Sequence, residues 1–388
     1  MKVTLVSDLL VQPLSGVGRY GYELASQLQR SEQLASLSFV SYRGAETWTQ
    51  IEQRLLVQSA AAATSGGAWA QFRSHAVNTR LGSFVYSALS QFQYGRIDLS
   101  VPDAVLHLPT LQAIPRKCRR PTVVTVHDLS HRFEPSWHPR ERGARLEQAL
   151  TLLRRASAVI AVSQFTADML IEQDCVDPSA VHVVHNGVSS AFTAGSVPLS
   201  RSDRAQVICV GTIEPRKNVE TLLRAYATLP ERLLREYPLL LVGDYGWSSA
   251  PIHALIGKLQ RNGWLRYAGH IPDLALAQAY RQSRLCIYPS KYEGFGLPVL
   301  EALAAGTPVI AGNHSSIAEV AGGHATLINN VENVDELREA ILAELESPWV
   351  DSAAASRAMH AANFTWQRCA SKTIEVYQSV IARQQVRR

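Results

Sequence analysis

The 388-residue chain predicts an α/β protein made of two parallel-sheet units. Three observations carry this expectation. Short apolar runs of strand character alternate with segments of helical apolar spacing through both halves, the pattern of strand–helix–strand units with parallel sheets. A stretch rich in Ser, Pro and Gly, residues 191–204, reads as a linker between the halves. Several strand-like runs also lead through a glycine-bearing loop into a helix. The open N–H groups and dipole of such a helix start favour an anion.

In the first half, residues 3–7 read as a strand. Ser15-Gly-Val-Gly18 follows, and the spacing predicts a helix from Arg19 to about Arg30. Gly16 and Gly18 either admit a phosphate or sugar, or serve a turn that needs positive φ. Gly21 falls in the wrong context for a dinucleotide fingerprint. Residues 45–100 say least. There Leu81, Phe84, Val85, Ala88, Leu89 and Phe92 share one helix face, downstream of Trp69, Phe72, Arg73 and Arg80. That helix packs on the core or presents an acceptor- or membrane-facing surface. Residues 104–107 and 122–126 are further parallel-type strands, the second ending in His127-Asp-Leu-Ser-His131. Ligands in open α/β sheets lie beyond the carboxyl ends of strands, where His127 falls. An imidazole there can equally be a satisfied core group. A basic helix over 142–155 carries Arg142, Arg145, Arg154 and Arg155, with Arg116, Lys117, Arg119 and Arg120 upstream. These are solvated charges or a surface drawn to an anionic inner leaflet. Residues 158–163 form a strand, and Ser163 caps the helix beginning near Gln164. Residues 181–184 end the half, and the Asn-Gly turn signal within His185-Asn-Gly-Val188 marks the domain joint.

In the second half, residues 206–210 restart a buried strand, followed by Gly211-Thr-Ile-Glu-Pro-Arg-Lys-Asn218. Asn218 is expected to cap the next helix, which turns Leu222, Leu223 and Tyr226 inward. Arg216 and Lys217 are a basic surface pair, or preplaced charge for a departing nucleoside diphosphate. Residues 239–242 are a strand running into Gly243-Asp-Tyr-Gly-Trp247. Residues 264–268 are another, running into Gly269-His-Ile271, and a helix spans 273–281. The buried strand at 285–290 then enters Lys291-Tyr-Glu-Gly-Phe-Gly-Leu-Pro-Val-Leu-Glu-Ala-Leu-Ala-Ala-Gly306. Pro298 reads as the first helical residue, Gly306 ends the helix and Pro308 prevents a restart. Gly294 and Gly296 let the backbone approach a ligand. Glu293 in the loop and Glu301 one turn into the helix are unsuited to phosphate. They suit sugar hydroxyls on either side of a diphosphate, unless they are a surface acid and a dipole-favoured helix acid. A strand at 309–311 and a surface helix at 334–345 follow. A last helix begins at 364–366 and runs to about 381, with Trp366 as packing and a frayed tail.

The run from Lys291 to Gly306 resembles, nearly residue for residue, the Glu-x7-Glu motif of glycosyltransferase family 4, E-G-F-G-L-P-x-L-E-A-(x)3-G. The string from Gly211 to Asn218 is similar to the family's G-x-x-x-x-R-K-N. Ser315-Ser-Ile-Ala-Glu-Val320 resembles its S-S-x-P-E-V, with Ala318 in place of proline. The resemblance implies the GT-B architecture: two Rossmann-like parallel α/β domains with an inter-domain cleft. Residues 1–187 would be the acceptor-side domain, 188–365 the nucleotide-sugar domain, and 366–388 a helix returning to the first. It implies transfer of a hexose from a nucleoside diphosphate sugar to a hydroxyl, with the anomeric configuration kept and no metal. On this likeness Glu293 holds the sugar's 3- and 4-hydroxyls, Glu301 the ribose, and Arg216 and Lys217 the leaving diphosphate. His127 lines the reacting face. Gly16, Gly18, Gly211, Thr212, Gly294, Phe295, Gly296 and Leu297 surround the donor, and His270 and Ile271 meet the nucleobase through main-chain groups. No protein base is assigned, because the departing diphosphate oxygen takes the acceptor's proton. The run from His127 to Ser130, followed by Pro135 and Pro139, looks most like the bacterial mannosyl- and rhamnosyltransferase branch. That implies GDP-mannose or GDP-rhamnose as donor and a surface polysaccharide, lipopolysaccharide or lipid-linked glycan as acceptor. The alternatives are a UDP-sugar transferase, a GT-B epimerase, or a non-catalytic sugar-nucleotide-binding scaffold subunit.

Composition bounds the rest. A net charge of +5 suits an anionic partner. Basic and aromatic residues are not interleaved as in RNA-binding modules, so nucleic acid is not expected. No run approaches the eighteen or so apolar residues of a membrane span. Residues 1–8 form a strand pattern without a cleavable signal, so a cytosolic protein is expected, with a basic surface that is either solvated or drawn to the inner membrane face. The five cysteines are scattered, with neither a disulfide framework nor a zinc spacing. A nicotinamide dehydrogenase would need a dinucleotide fingerprint and a following acid, and neither is convincing.

Overall fold

A computed structural model describes residues 1–11, 14–65, 104–111, 118, 120–193, 204–246 and 250–386. The chain divides into two compact units, Met1–Asn186 with Trp366–Arg388, and Gly187–Thr365.

The first unit is built on a seven-stranded sheet of order β3-β2-β1-β4-β5-β6-β7. Its strands are β1 (Lys2–Val6), β2 (Ser36–Ser41), β3 (Gly44–Glu46), β4 (Ala104–Leu108), β5 (Thr122–Val126), β6 (Ala158–Ala161) and β7 (Val181–Val183). All pair in parallel except the β2–β3 edge. Every residue of β4, β5 and β6 is buried, which is why they read as near-continuous apolar runs.

Helix α1 (Gly16–Gln29) begins earlier than its apolar spacing predicts, because the Ser15 hydroxyl accepts the Gly18 N–H and caps it. The expected Ser163 cap is present on α2 (Gln164–Glu172), bonded to the Thr166 N–H. The C-terminal helix spans Trp366–Val386 and packs on α1. The helix face predicted between Leu81 and Phe92, with Trp69, Phe72, Arg73 and Arg80, lies outside the described residues, as do Arg116, Lys117, Arg119 and Trp247. Arg120 does not join a basic surface. It is buried, and its guanidinium donates to Thr4 Oγ1 at 3.2 Å.

The second unit carries a six-stranded, wholly parallel sheet of order β10-β9-β8-β11-β12-β13. These are β8 (Gln206–Val210), β9 (Leu239–Val242), β10 (Leu265–Gly269), β11 (Ser283–Tyr288), β12 (Val309–Gly312) and β13 (Thr326–Ile328). Strand order reverses between β8 and β11, so the crevice beyond their carboxyl ends is the switch point where such sheets bind ligands. On one face Leu222, Leu223 and Tyr226 of α3 (Val219–Tyr226) pack with Leu337, Ile341 and Leu345 of α4 (Val334–Glu346). The linker expected to run to residue 204 ends sooner. Arg204 is buried, donates to Ser283 O at 3.0 Å and Thr307 Oγ1 at 3.2 Å, and lies over the Trp349 ring. All five cysteines are unbridged. Among the described residues no helix is long and apolar enough to cross a membrane.

Candidate active site

The loops that leave β8 and β11 meet at the switch point of the second unit. Pro215, Arg216 and Lys217 form one tight turn after Glu214. Asn218 then adopts a left-handed conformation, φ 54°. It does not cap α3 with its side chain, as the sequence suggests. Its amide donates to Val331 O at 2.7 Å and accepts from Thr221 Oγ1 at 2.7 Å, so it staples the turn to the neighbouring loop. The two loops are joined directly by a bond from Lys291 N to Arg216 O at 2.8 Å.

Glu293 stands at the centre of this junction, 7% exposed. Its Oε1 accepts from Lys217 Nζ at 2.6 Å, from Tyr288 OH at 2.8 Å and from the Ser290 hydroxyl. Its Oε2 pairs with Arg216 Nη1 at 2.9 Å. The backbone is held too. Glu293 N donates to Ser315 Oγ at 3.2 Å, and Ser316 Oγ donates to Glu293 O at 2.9 Å. Arg216 also pairs with Glu214 at 2.8 Å and donates to Tyr292 O. Two carboxylates therefore face two cations in a site that is mostly out of water. Burial by itself would raise the Glu293 carboxyl, but Arg216 and Lys217 override it and hold the group at about 2. Lys217 moves down from its ordinary value, through burial first and then the Arg216 charge, against the pull of Glu293. The asymmetry has a simple cause: two cations outweigh burial at the carboxylate, while at the lysine burial and the Arg216 charge outweigh the carboxylates.

The helix α5 (Leu297–Ala304) begins at the same junction. Gly296 precedes it with φ 98°, and a Cβ there would lie 2.7 Å from Ile317 Cδ1. Leu297 is the first helical residue and Pro298 the second, one place later than expected. Gly306 ends the segment in a left-handed turn, φ 71°. Gly294, Phe295, Gly296 and Leu297 line the approach to the helix. The Phe295 ring is committed to the core, edge-on to Phe364, so only its backbone can serve a ligand. Glu301 lies on the helix, buried, and accepts from Tyr280 OH at 3.2 Å. Gly211 opens the Arg216 loop, with the Lys217 stem over it and Thr212 exposed beside it. His270 and Ile271 follow β10, two strands along the sheet from β8 and so about 10 Å away.

The remaining expected residues stand in the first unit. His127 follows β5, half-buried. Its Nε2 lies 2.9 Å from Pro109 O, so that nitrogen carries the proton and donates it. Burial pushes this imidazole below its ordinary pKa, opposed by the Pro109 bond and Asp128. Gly16 and Gly18 are in the first turn of α1 and neither has positive φ, which removes the turn explanation. Gly16 is exposed at the helix start. Gly18 is small because Leu14 and Leu9 O lie 3.2 Å from where its Cβ would be.

Five partners of the cluster escape a reading of the sequence as sites: Glu214, Tyr288, Ser290, Ser315 and Ser316. Glu214 sits inside the Gly211–Asn218 string, and the two serines inside a string that matched the family wording. Tyr288 and Ser290 are concealed in a buried strand pattern.

The comparisons with known proteins fall on the same regions. Residues 14–192 match the family described as Glycosyltransferase Family 4, and residues 196–361 that described as Glycosyl transferases group 1. Over 387 residues the chain is 31% identical to the O-antigen chain mannosyltransferase B of Escherichia coli, spanning 97% of this chain and 99% of that protein. The chain belongs to glycosyltransferase family 4. This family 4 glycosyltransferase is a hexosyltransferase by class. It is also 30% identical over 245 residues to the MMP alpha-(1->4)-mannosyltransferase of Mycolicibacterium hassiacum, spanning 61% of this chain and 58% of that one. In fold it is similar to the sucrose-phosphate synthase of Thermosynechococcus elongatus, TM-score 0.72 at 17% identity, spanning 98% of this chain and 99% of that one. Two parallel-sheet α/β units with such neighbours make it a GT-B protein.

Proposed function

We propose that this glycosyltransferase moves mannose from a nucleoside diphosphate donor, GDP-mannose, to a hydroxyl of a growing or lipid-linked glycan in the synthesis of a bacterial surface polysaccharide. The configuration at the anomeric carbon is retained and no metal takes part. The observation that carries this reading is the likeness to the E. coli O-antigen chain mannosyltransferase B along nearly the whole chain. A lipid-linked acceptor would bring the enzyme to the inner leaflet of the membrane.

The charges of the switch-point cluster support the following mechanism. The bond from the anomeric carbon to the diphosphate breaks while the acceptor oxygen adds from the same face, and the departing phosphate oxygen takes the acceptor's proton. Arg216 and Lys217 stabilise the charge that grows on the diphosphate, with no reorganisation required. The positive end of the α5 dipole adds to this. Glu293 fixes both cations. Its Oε1 already accepts three hydrogen bonds and its Oε2 fewer, so Oε2 is the oxygen with capacity for the sugar's 3- and 4-hydroxyls. Glu301 receives the ribose. His270 and Ile271 are assigned to the nucleobase by family resemblance. His127 is assigned to the reacting face of the sugar by family resemblance.

Thermal shift with GDP, UDP and ADP tests the base: GDP should raise the melting temperature most. Transfer of labelled mannose from GDP-mannose, with the anomeric coupling of the product read by NMR, tests sugar and stereochemistry. A larger shift with UDP, and turnover with UDP-hexoses alone, would replace this donor.

A further inference from the structure

A chain of buried polar side chains crosses the first unit and ends beside His127. Tyr377 OH, on the C-terminal helix, lies 2.6 Å from His107 Nδ1. His107 Nε2 lies 2.9 Å from Thr125 Oγ1, and Thr125 Oγ1 lies 2.9 Å from Tyr20 OH on α1. All four residues are fully buried. The Tyr20 ring then packs edge-on against the His127 ring, centroids 4.8 Å apart and planes at 81°. Trp366, at the start of the C-terminal helix, touches the Tyr20 ring from another side.

A neutral imidazole has one donor and one acceptor nitrogen, and His107 uses both. Burial holds it neutral, with a pKa of about 3, and the nearby His127 adds to the effect. Packing alone does not need such a chain. Phe, Val and Leu would fill the same space without polar groups to satisfy, and a half-satisfied network is worse than an apolar core. What the hydroxyls add is a fixed place for the Tyr20 ring, and so for the imidazole it flanks. His127 is thereby gripped twice, by Pro109 O on Nε2 and by the Tyr20 ring set nearly perpendicular to its own, with its Nδ1 left as the acceptor nitrogen.

Building on the assignment of His127 to the sugar's reacting face, we propose that Tyr377, His107, Thr125 and Tyr20 are positioning residues that set the orientation of His127 for glycosyl transfer. Through them the C-terminal helix acts on the reaction without touching substrate.

The test is a double-mutant cycle on the full chain. Tyr20→Phe and Thr125→Val are made alone and in a His127→Ala background, with kcat and donor KM measured using GDP-mannose. The His127 ring is followed by 15N NMR of histidine-labelled protein. Each single variant should lower kcat about ten- to a hundredfold with donor KM changed less than about twofold. Thr125→Ser, which keeps the hydroxyl, should restore kcat. In the His127→Ala background Tyr20→Phe should add no further loss. The same fold loss with and without His127, or no loss in the single variants, overturns the proposal. If His127→Ala alone turns over normally, it is the assignment of His127 to the reacting face that fails. The NMR then decides the positioning by itself: Tyr20→Phe must disturb the single Nε2–H tautomer signal, and an unchanged signal refutes it. Should Tyr20→Phe not fold, the Thr125→Ser and Thr125→Val pair carries the same comparison.

Discussion

Lys217 Nζ lies 2.6 Å from Glu293 Oε1, an ion pair that ties the loop after β8 to the loop after β11. Glu293 is therefore the counter-ion of Arg216 and Lys217, the cations proposed to meet the leaving group. Removing it leaves Arg216 and Lys217 buried with Glu214 as the remaining acid, and breaking a buried pair costs about 3–5 kcal/mol. Glu293→Gln should unfold at lower denaturant by roughly that amount, measured as a shift in the urea midpoint. Glu293→Ala should abolish transfer. Binding of the nucleoside diphosphate should survive in both, because a competitor for the cations has gone. Normal turnover by Glu293→Ala would remove the carboxylate from the site, and a lost diphosphate affinity would deny its role as competitor.

The same pair sets an acid limit on stability. The Glu293 carboxyl sits at about 2 when folded, against an ordinary 4.5. A depressed carboxylate stabilises the fold fully above pH 4.5, and the contribution fades as pH falls toward 2. It amounts to about 3 kcal/mol. His107 works in a different window. Its folded value of about 3 lies below the ordinary 6.5, so the unfolded chain takes up the proton first and stability falls between pH 6.5 and 3. Melting temperatures from pH 7 to pH 2 should decline in both windows for the parent chain. Glu293→Gln should lessen the decline below 4.5, where the His107 contribution remains down to about 3, and leave the decline above 4.5 in place. A profile unchanged by that substitution would show that the ion pair is not what acid breaks.

If Arg216 and Lys217 neutralise the departing diphosphate, they do the work a divalent metal does in other transferases. Arg216→Ala with Lys217→Ala should weaken nucleoside diphosphate binding at least tenfold by calorimetry. Transfer by the parent chain should persist in EDTA. Unchanged affinity in the double variant would put the diphosphate elsewhere. Activity lost to EDTA and restored by Mg²⁺ would overturn the metal-free mechanism.

Much of this was legible in the residues, for identifiable reasons. Buried parallel strands such as β5 and β11 are rich in apolar residues, so their ends, and the loops carrying Arg216 and Glu293, could be placed. Glycines with positive φ, such as Gly296 and Gly306, mark their turns because few other residues adopt them. What could not be read was pairing across the sheet. That Glu293 binds both cations, or that Ser315 and Ser316 hold its backbone, depends on which strand ends become neighbours. Strand order is not a local property. Asn218 shows the same limit: capping was the local expectation, and a distant carbonyl, Val331 O, took its amide instead. Arg204 reads as a polar linker residue because its partners, Ser283 and Thr307, lie far along the chain.

Gly243 offers a test of how tightly the strand ends beneath the site are packed. Its φ is 134°, and a Cβ on it would sit 2.1 Å from Gly211 O. The obstacle is backbone, which has no rotamer to move into, and it belongs to the residue that opens the Arg216 loop. Gly243→Ala should therefore cost about 2–4 kcal/mol, from overpacking together with an unfavourable backbone region. It should also weaken diphosphate binding, since the displaced Gly211 carries Arg216 and Lys217 with it. Gly263 is the control. Its φ of 74° is also positive, though nearer the left-handed region that alanine can enter, and nothing lies within 4 Å of its Cβ position. Gly263→Ala should cost about 1 kcal/mol and leave nucleotide affinity alone. Urea unfolding and calorimetry on the two variants separate the terms. Equal stability losses, or a Gly243→Ala protein that binds nucleotide as the parent does, would show that the Gly211 loop is not held from below by this contact.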